Sequence, residues 1–160
     1  MPTNGTNIQE VESGQFTLQL WEVGGQEKVR PYWDRYAEGI NGLVYVIDMA
    51  AKDRLQESVD ALATTYQKIG LTRLPTLVLL NRSQDDADVA EVQALLSAIK
   101  GMDGSPHAVV QVASDRLVLG GGQESLQWMA DALLQAIQRA EQAQKELMAE
   151  AASSSEQKKT

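Results

Sequence analysis

The sequence predicts an α/β fold, and two observations carry it. Leu43 to Ile47 and Leu77 to Leu80 are continuous apolar runs, the pattern of parallel strands covered on both faces. Between and after them lie segments with helical spacing, so strands and helices alternate along the chain. In order, Ile8 to Glu12 and Phe16 to Val23 alternate apolar with polar residues around Ser13-Gly14-Gln15, which reads as a hairpin forming one edge of the sheet. Asp53 to Ile69 carries Leu55, Val59, Leu62 and Tyr66 on one helical face. Val89, Val92, Leu95, Leu96 and Ile99 repeat that spacing until Gly101 stops the helix, and both helices are expected to pack on the sheet. Ala108 to Val112 is a weaker third parallel strand. A last helix from about Gln123 would bury Leu126, Met129, Ala130, Leu133 and Ile137. Beyond Arg139 its apolar content falls to alanine with an occasional Leu or Met, so its distal half is expected to project into solvent. The organisation is one domain over residues 1–140, then an extended helix end and a tail over 141–160 whose last residues, Ser153 to Thr160, have the composition of disorder.

A length of 160 residues suits one domain, and 43% apolar residues suffice for a core. The formal charge of -8 and pI near 4.6 oppose nonspecific attraction to nucleic acid or anionic lipid. A basic protein or a small ligand is the more natural partner. Without cysteine there is neither a disulfide framework nor a thiolate metal site. No apolar run approaches the roughly 18 residues of a membrane span, there is no cationic-apolar leader, and Met1-Pro2 is not a myristoylation signal. A cytoplasmic location fits best, with no membrane anchor in this chain.

The most informative stretch is Leu20 to Trp33, in which an apolar alternating run ends in Gly24-Gly25-Gln26. Gly25 has no side chain, so its N–H can approach a phosphate oxygen, and the glutamine beside it can orient a water for in-line attack. With Pro2-Thr3-Asn4-Gly5-Thr6-Asn7 upstream, the stretch Trp21-Glu22-Val23-Gly24-Gly25-Gln26-Glu27-Lys28-Val29-Arg30-Pro31-Tyr32-Trp33 resembles the switch regions of the ADP-ribosylation factor (Arf) and Arf-like family of small GTPases. Asn7 to Ser13 and Lys28 to Tyr36 lean towards the Arf-like branch linked to lipidated-cargo and ciliary traffic. The resemblance runs from Pro2 to about Ile137, and its specificity sits mainly before Met49.

The resemblance implies a mostly parallel small-GTPase sheet with flanking helices. GTP or GDP and Mg²⁺ are the implied cofactors, and protein effectors and regulators the implied partners at the switch surface. The complete domain would be a monomer, and a full-length form would lie in the cytoplasm, at the periphery of a membrane or in the cilium. Thr3 corresponds to the switch threonine that ligates Mg²⁺ and meets the γ-phosphate, and Gln26 to the water-positioning glutamine. Glu22 stands where the family has a metal-holding aspartate, and its extra methylene changes the reach by ~1.5 Å. Asn81-Arg82-Ser83-Gln84-Asp85 follows a buried strand at the place of the guanine-reading N-K-x-D. Arg82 replaces the lysine, Gln84 takes the aspartate's place by strict spacing, and Asp85 falls one position late. An amide offers one acceptor and one donor where guanine presents two donors, so base specificity should weaken. Ser114 resembles the last base-contacting loop, with Asp115 where its lysine is expected.

Trp21 and Tyr36 match two of the family's three effector-facing aromatics, and Thr6 holds the third position. Trp33, Lys28 and Arg30 read either as rim contacts or as a solvated helix face. Gly120-Gly121-Gly122 reads as a flexible connector, and His107, with no partner at ligand spacing, as a strand-start residue.

The chain nowhere contains G-x-x-x-x-G-K-[ST], the loop that holds nucleotide phosphates. The first strand, P-loop and first helix of the resembled fold are therefore expected to be missing. Either Met1 is an internal methionine of a longer protein read as a start, or the chain is a natural protein without its P-loop. Two functions follow: an Arf-like GTP-dependent switch in vesicle or ciliary traffic, or a nucleotide-independent pseudo-GTPase module presenting Trp21, Trp33 and Tyr36 constitutively. Residual hydrolysis is a third, lesser reading. In the resembled family the hairpin slides by two residues between states, a slip that keeps Phe16, Leu18 and Leu20 on their face because strand periodicity is two. The family's strand order would put the missing strand between Phe16–Val23 and Leu43–Met49, leaving those strands to face a gap and the chain prone to aggregate.

Overall fold

The computed structural model describes residues 5–13, 16–69, 74–83, 86–102, 104–112, 128–136, 138, 142, 145, 146 and 148. Strands β1 (Thr6–Ser13) and β2 (Phe16–Val23) form an antiparallel hairpin in which Thr6 lies opposite Val23 and Ser13 opposite Phe16. A 3-10 helix, Arg30–Tyr36, leads to β3 (Leu43–Asp48), and a 3-10 turn, Lys52–Arg54, leads to α1 (Leu55–Ile69). Strand β4 (Thr76–Asn81), helix α2 (Asp86–Leu96) and strand β5 (His107–Val112) follow, and residues 128–136 form the described part of the last helix, α3. Described residues beyond it, at 138, 142, 145, 146 and 148, are helical and exposed. His107 does begin its strand.

Strands β3, β4 and β5 make a parallel sheet in that order. Alternation sends Tyr45, Ile47, Val78, Leu80 and Val109 to one face. There they meet Val59, Leu62 and Tyr66 of α1 with Val92 and Leu96 of α2, and this cluster is the core. Each such side chain contributes about 1.5–3 kcal/mol by leaving water. Hydroxyls that enter the core are paired: Tyr66 Oη shares a short hydrogen bond with Thr76 Oγ1, and Tyr45 Oη donates to the Ser58 carbonyl at 2.8 Å. Helix α3 buries Met129, Ala130 and Ala132 and lies beside Gly42, the residue that precedes β3. The two approach closely, since a Cβ at Gly42 would lie 3.1 Å from Met129 Sδ and 3.2 Å from the Pro75 carbonyl.

The expectation that the hairpin forms one edge of the sheet is not met. The hairpin is a separate two-stranded sheet, and β2 shares no ladder with β3. No described residue lies as a strand between them, so the backbone groups on the outer side of β3 have no ladder partner among the described residues. Which groups these are follows from the register. Leu43 N donates to Pro75 O and Met49 N to Asn81 O, both at 2.9 Å, and alternate residues of a strand point to the same neighbour. Tyr45 and Ile47 therefore face β4, whereas Val44 and Val46 turn their N–H and C=O outward. Their side chains are exposed too, 38% and 58%.

Two outcomes are expected. Amide exchange resolved by residue should show Tyr45 and Ile47 protected and Val44 and Val46 exchanging fast; equal protection at all four would mean that the edge is covered. Because an uncharged apolar edge invites pairing between chains, Val46→Lys should reduce self-association in sedimentation velocity without lowering the unfolding midpoint.

Candidate functional site

The candidate loop begins where β2 ends. Gly24 is buried and Gly25 exposed, and a Cβ built on Gly25 would meet nothing within 4 Å. The backbone turns after Gln26, whose carbonyl accepts from Val29 N at 2.8 Å and Arg30 N at 3.2 Å. Pro31 then suits the first turn of the 3-10 helix, where its missing N–H costs nothing. This helix holds the loop from behind. Trp33 Nε1 donates to Gly24 O at 3.0 Å, and Arg30 Nε donates to Gly25 O at 3.0 Å. Trp33 also meets Tyr45 edge to face, with ring centroids 6.2 Å apart at 84°.

Arg30 continues to α1, where its Nη2 lies 2.8 Å from Glu57 Oε1. Arg54 binds the same carboxylate bidentately at 2.9 and 3.0 Å. Hydrogen bonds from Arg54 first, then from Arg30, hold the Glu57 carboxyl down to about 2. A groove of about 550 Å³ runs between the 3-10 helix and α1, with Pro31, Trp33, Ala61 and Ile69 among its apolar lining and Glu27, Asp34 and Asp60 among its charges.

A second cluster gathers at the carboxyl ends of β3 and β4, the end at which parallel sheets bind ligands. Arg82 Nε donates to Asp48 Oδ1 at 2.9 Å, and its Nη2 makes a short ion pair with Oδ2. Arg82 has φ 58°, the left-handed region that favours glycine. Its hydrogen bonds, opposed by burial and helped by Ala50 N–H at 3.1 Å, lower the Asp48 carboxyl below the usual range. Behind it Ser83 Oγ donates to Asp88 Oδ2 at 2.9 Å, and Lys52 Nζ sits 2.7 Å from Asp88 Oδ1. Asp88 is thus a buried carboxylate on α2 with its charge compensated. Its hydrogen bond leads the interactions that raise the Lys52 ammonium.

Of the residues singled out from sequence, Gly25 and Gln26 lie together in the loop, and Asn81 and Arg82 together at the β4 end. Glu22 is an exposed residue of β2 opposite Asn7. Thr3, Gln84, Asp85 and Ser114 lie outside the described residues. Trp21 is 52% exposed, with its Nε1 on Gln19 Oε1 at 2.9 Å, and faces the exposed Ile8 across the hairpin. Tyr36 ends the 3-10 helix, half-buried. Trp33, read from sequence as effector surface, is half-buried and tied to Gly24, and Arg30 is an internal tether. Sequence reasoning missed Glu57; its one signal was the three-residue spacing from Arg54 on a helix.

The donors fit an anion, because the Gly25 and Gln26 N–H groups have no partner among the described residues, and at Gly25 even a Cβ would meet nothing within 4 Å. For a metal the fit is thinner. Among the described residues no three His, Asp or Glu gather to hold an ion. Magnesium, which takes one or two carboxylates together with phosphate oxygens, would have Glu22 and, outside the described residues, Thr3.

A pH dependence follows from Glu57. Its carboxyl is lowered in the folded chain, so its contribution to stability is complete above the unfolded value of about 4.3 and is lost as pH falls through about 2. Urea midpoints of the parent and of Glu57→Gln should differ at neutral pH and converge between about pH 4.3 and 2; a gap that stays constant to pH 2 would show that the carboxylate is not held by the two arginines.

Comparison with known proteins accords with this arrangement. The structure is similar to that of the Arl6 BBS3 small GTPase from Trypanosoma brucei with bound nucleotide analogue GppNp, with a TM-score of 0.71 and 19% sequence identity over 85% of this chain and 83% of that one. At that identity the likeness speaks for the fold. The model of the ADP-ribosylation factor family matches residues 1–133, which is most of the chain. By the sequence match and the fold together, the chain belongs to the ADP-ribosylation factor family of small GTPases.

Proposed function

We propose that the chain is an Arf-like guanine-nucleotide switch serving intracellular traffic of vesicle or ciliary cargo. The observation that carries this reading is the Gly24–Gln26 loop, in which the Gly25 and Gln26 N–H groups have no partner among the described residues while the Gly24 and Gly25 carbonyls are tied down from behind. Gly25 N–H would meet a terminal phosphate oxygen, and Gln26 would orient the attacking water. A bound nucleotide supplies the phosphate whose presence or loss distinguishes two states. Glu22 and Thr3 are the residues to hold its Mg²⁺, and Asn81 with Arg82 those to meet its base. Effectors would read the hairpin face that carries Trp21 and Ile8, together with Tyr36.

One observation favours the nucleotide-independent module as the second reading. Arg82, the residue to lie beneath a base, is already gripped by Asp48. A base competing for that guanidinium gives up part of its binding energy.

The deciding experiment titrates the chain with GppNp or GDP in the presence of Mg²⁺ and follows its amides by NMR. The switch reading expects shifts at Gly25 and Gln26 with GppNp that GDP does not produce, at an affinity weaker than about micromolar because the phosphate-clamping loop is not in this sequence. Silence at both amides at millimolar GppNp, with effector binding intact, would establish the module. In a longer form that carries the phosphate-clamping loop, Gln26→Leu should keep the Gly25 shift yet lower GTP hydrolysis by about 100-fold, since the glutamine acts on the water and not on the ground state.

A further inference from the structure

A trans peptide unit points its C=O and its N–H in opposite directions. Two consecutive units form the loop, and each is held by its oxygen. Trp33 Nε1 takes Gly24 O, so the Gly25 N–H of the same unit is turned away from the 3-10 helix. Arg30 Nε takes Gly25 O, so the Gln26 N–H is turned away likewise. The outward donors are thus aimed by side chains bound to the opposite edge of the same peptide units. Both holds end on the first turns of α1. Trp33 rests on Tyr45, whose hydroxyl donates to Ser58 O, and Arg30 is steered by Glu57 at 2.8 Å.

An arginine with only Gly25 O to bind would leave its Nη atoms to water and its long side chain free to change rotamer. Glu57 removes that freedom and is itself braced by Arg54 through two hydrogen bonds. We propose that Glu57 is a positioning residue of the phosphate-sensing loop: acting through Arg30, it fixes the Gly25–Gln26 peptide unit so that its N–H faces the incoming phosphate. The assignment of the loop to phosphate rests on the function proposed above, whereas the hold of Glu57 on the loop does not. The consequence is directional. Whatever draws Glu57 from Arg30, such as a cationic partner residue in the adjoining groove, frees the donor without touching the phosphate side.

The test compares the parent chain with Glu57→Ala, Arg30→Lys and Glu57→Gln, first without ligand. In Glu57→Ala the amides of Val29 and Arg30, which donate to Gln26 O, should exchange about fivefold faster, as befits loss of an exposed ion pair. The Arg30 Nε–Hε resonance should move towards the position of a free arginine. Arg30→Lys keeps the charge but not the fork and should exchange like Glu57→Ala; Glu57→Gln keeps an acceptor and should recover part of the protection. The second arm adds GppNp with Mg²⁺, and the shift at the Gln26 amide should shrink in Glu57→Ala while the thermal midpoint stays near the parental value. Unchanged exchange and an unmoved Arg30 Hε in Glu57→Ala overturn the proposal whatever the nucleotide does. Faster exchange in a chain whose parent shows no GppNp shift leaves Glu57 as the holder of the loop and overturns the phosphate reading instead.

Discussion

Burial of one face of the parallel sheet under α1 and α2 is the constraint on which everything else rests. Helix α1 supplies Val59, Leu62 and Tyr66 to that interface and, from its exposed first turn, Glu57 to the loop. A helix fixed by its apolar stripe has no freedom to rotate, so the position of Glu57 is decided by residues that lie one and two turns away in the core. Tyr45 serves both duties in one side chain, its ring packed against the core cluster and touching Trp33, its hydroxyl closing on Ser58 O. Packing and loop geometry are thus one problem solved by the same helix.

Much of the fold was legible because it depends on period. The runs at Leu43 and Leu77 read as parallel strands from their continuity, although coverage on both faces fails for β3, whose Val44 and Val46 are exposed; Leu55, Val59, Leu62 and Tyr66 read as one stripe from their spacing, and all four are buried. The pairing of the two hairpin strands was equally plain. What spacing does not carry is the lateral partner of a strand, and so the separation of the hairpin from the parallel sheet was visible only through the expected strand order of the family. The start of α1 was two residues off, since Asp53 and Arg54 form a 3-10 turn whose side chains look helical in sequence.

The site was legible in part. Gly24, Gly25 and Gln26 announce themselves by what they lack and by their place at the end of an alternating run. Trp33, Arg30 and Glu57 do not, because nothing local distinguishes an arginine that binds a carbonyl from one that binds water. Their roles come from tertiary placement: 27 residues separate Arg30 from Glu57 in sequence, and only the packing of the 3-10 helix beside α1 closes that distance. Likewise the embrace of Arg82 by Asp48 depends on β3 and β4 being neighbours, which residue types alone do not state.

The left-handed backbone at Arg82 has a mechanical side. For a residue with a long side chain that conformation costs about 1 kcal/mol or more, and Gly or Asn would sit there more cheaply. Neither could span to Asp48 with two parallel hydrogen bonds. The turn after β4 is therefore held on both sides of the strained residue, by the ion pair of Arg82 with Asp48 and by Ser83 Oγ on Asp88 at 2.9 Å, and opening the pair removes the first of these holds. A solute able to take the Asp48 carboxylate, such as a divalent cation or free guanidinium, would loosen Arg82 while the strand ends stay joined through Met49 N and Asn81 O.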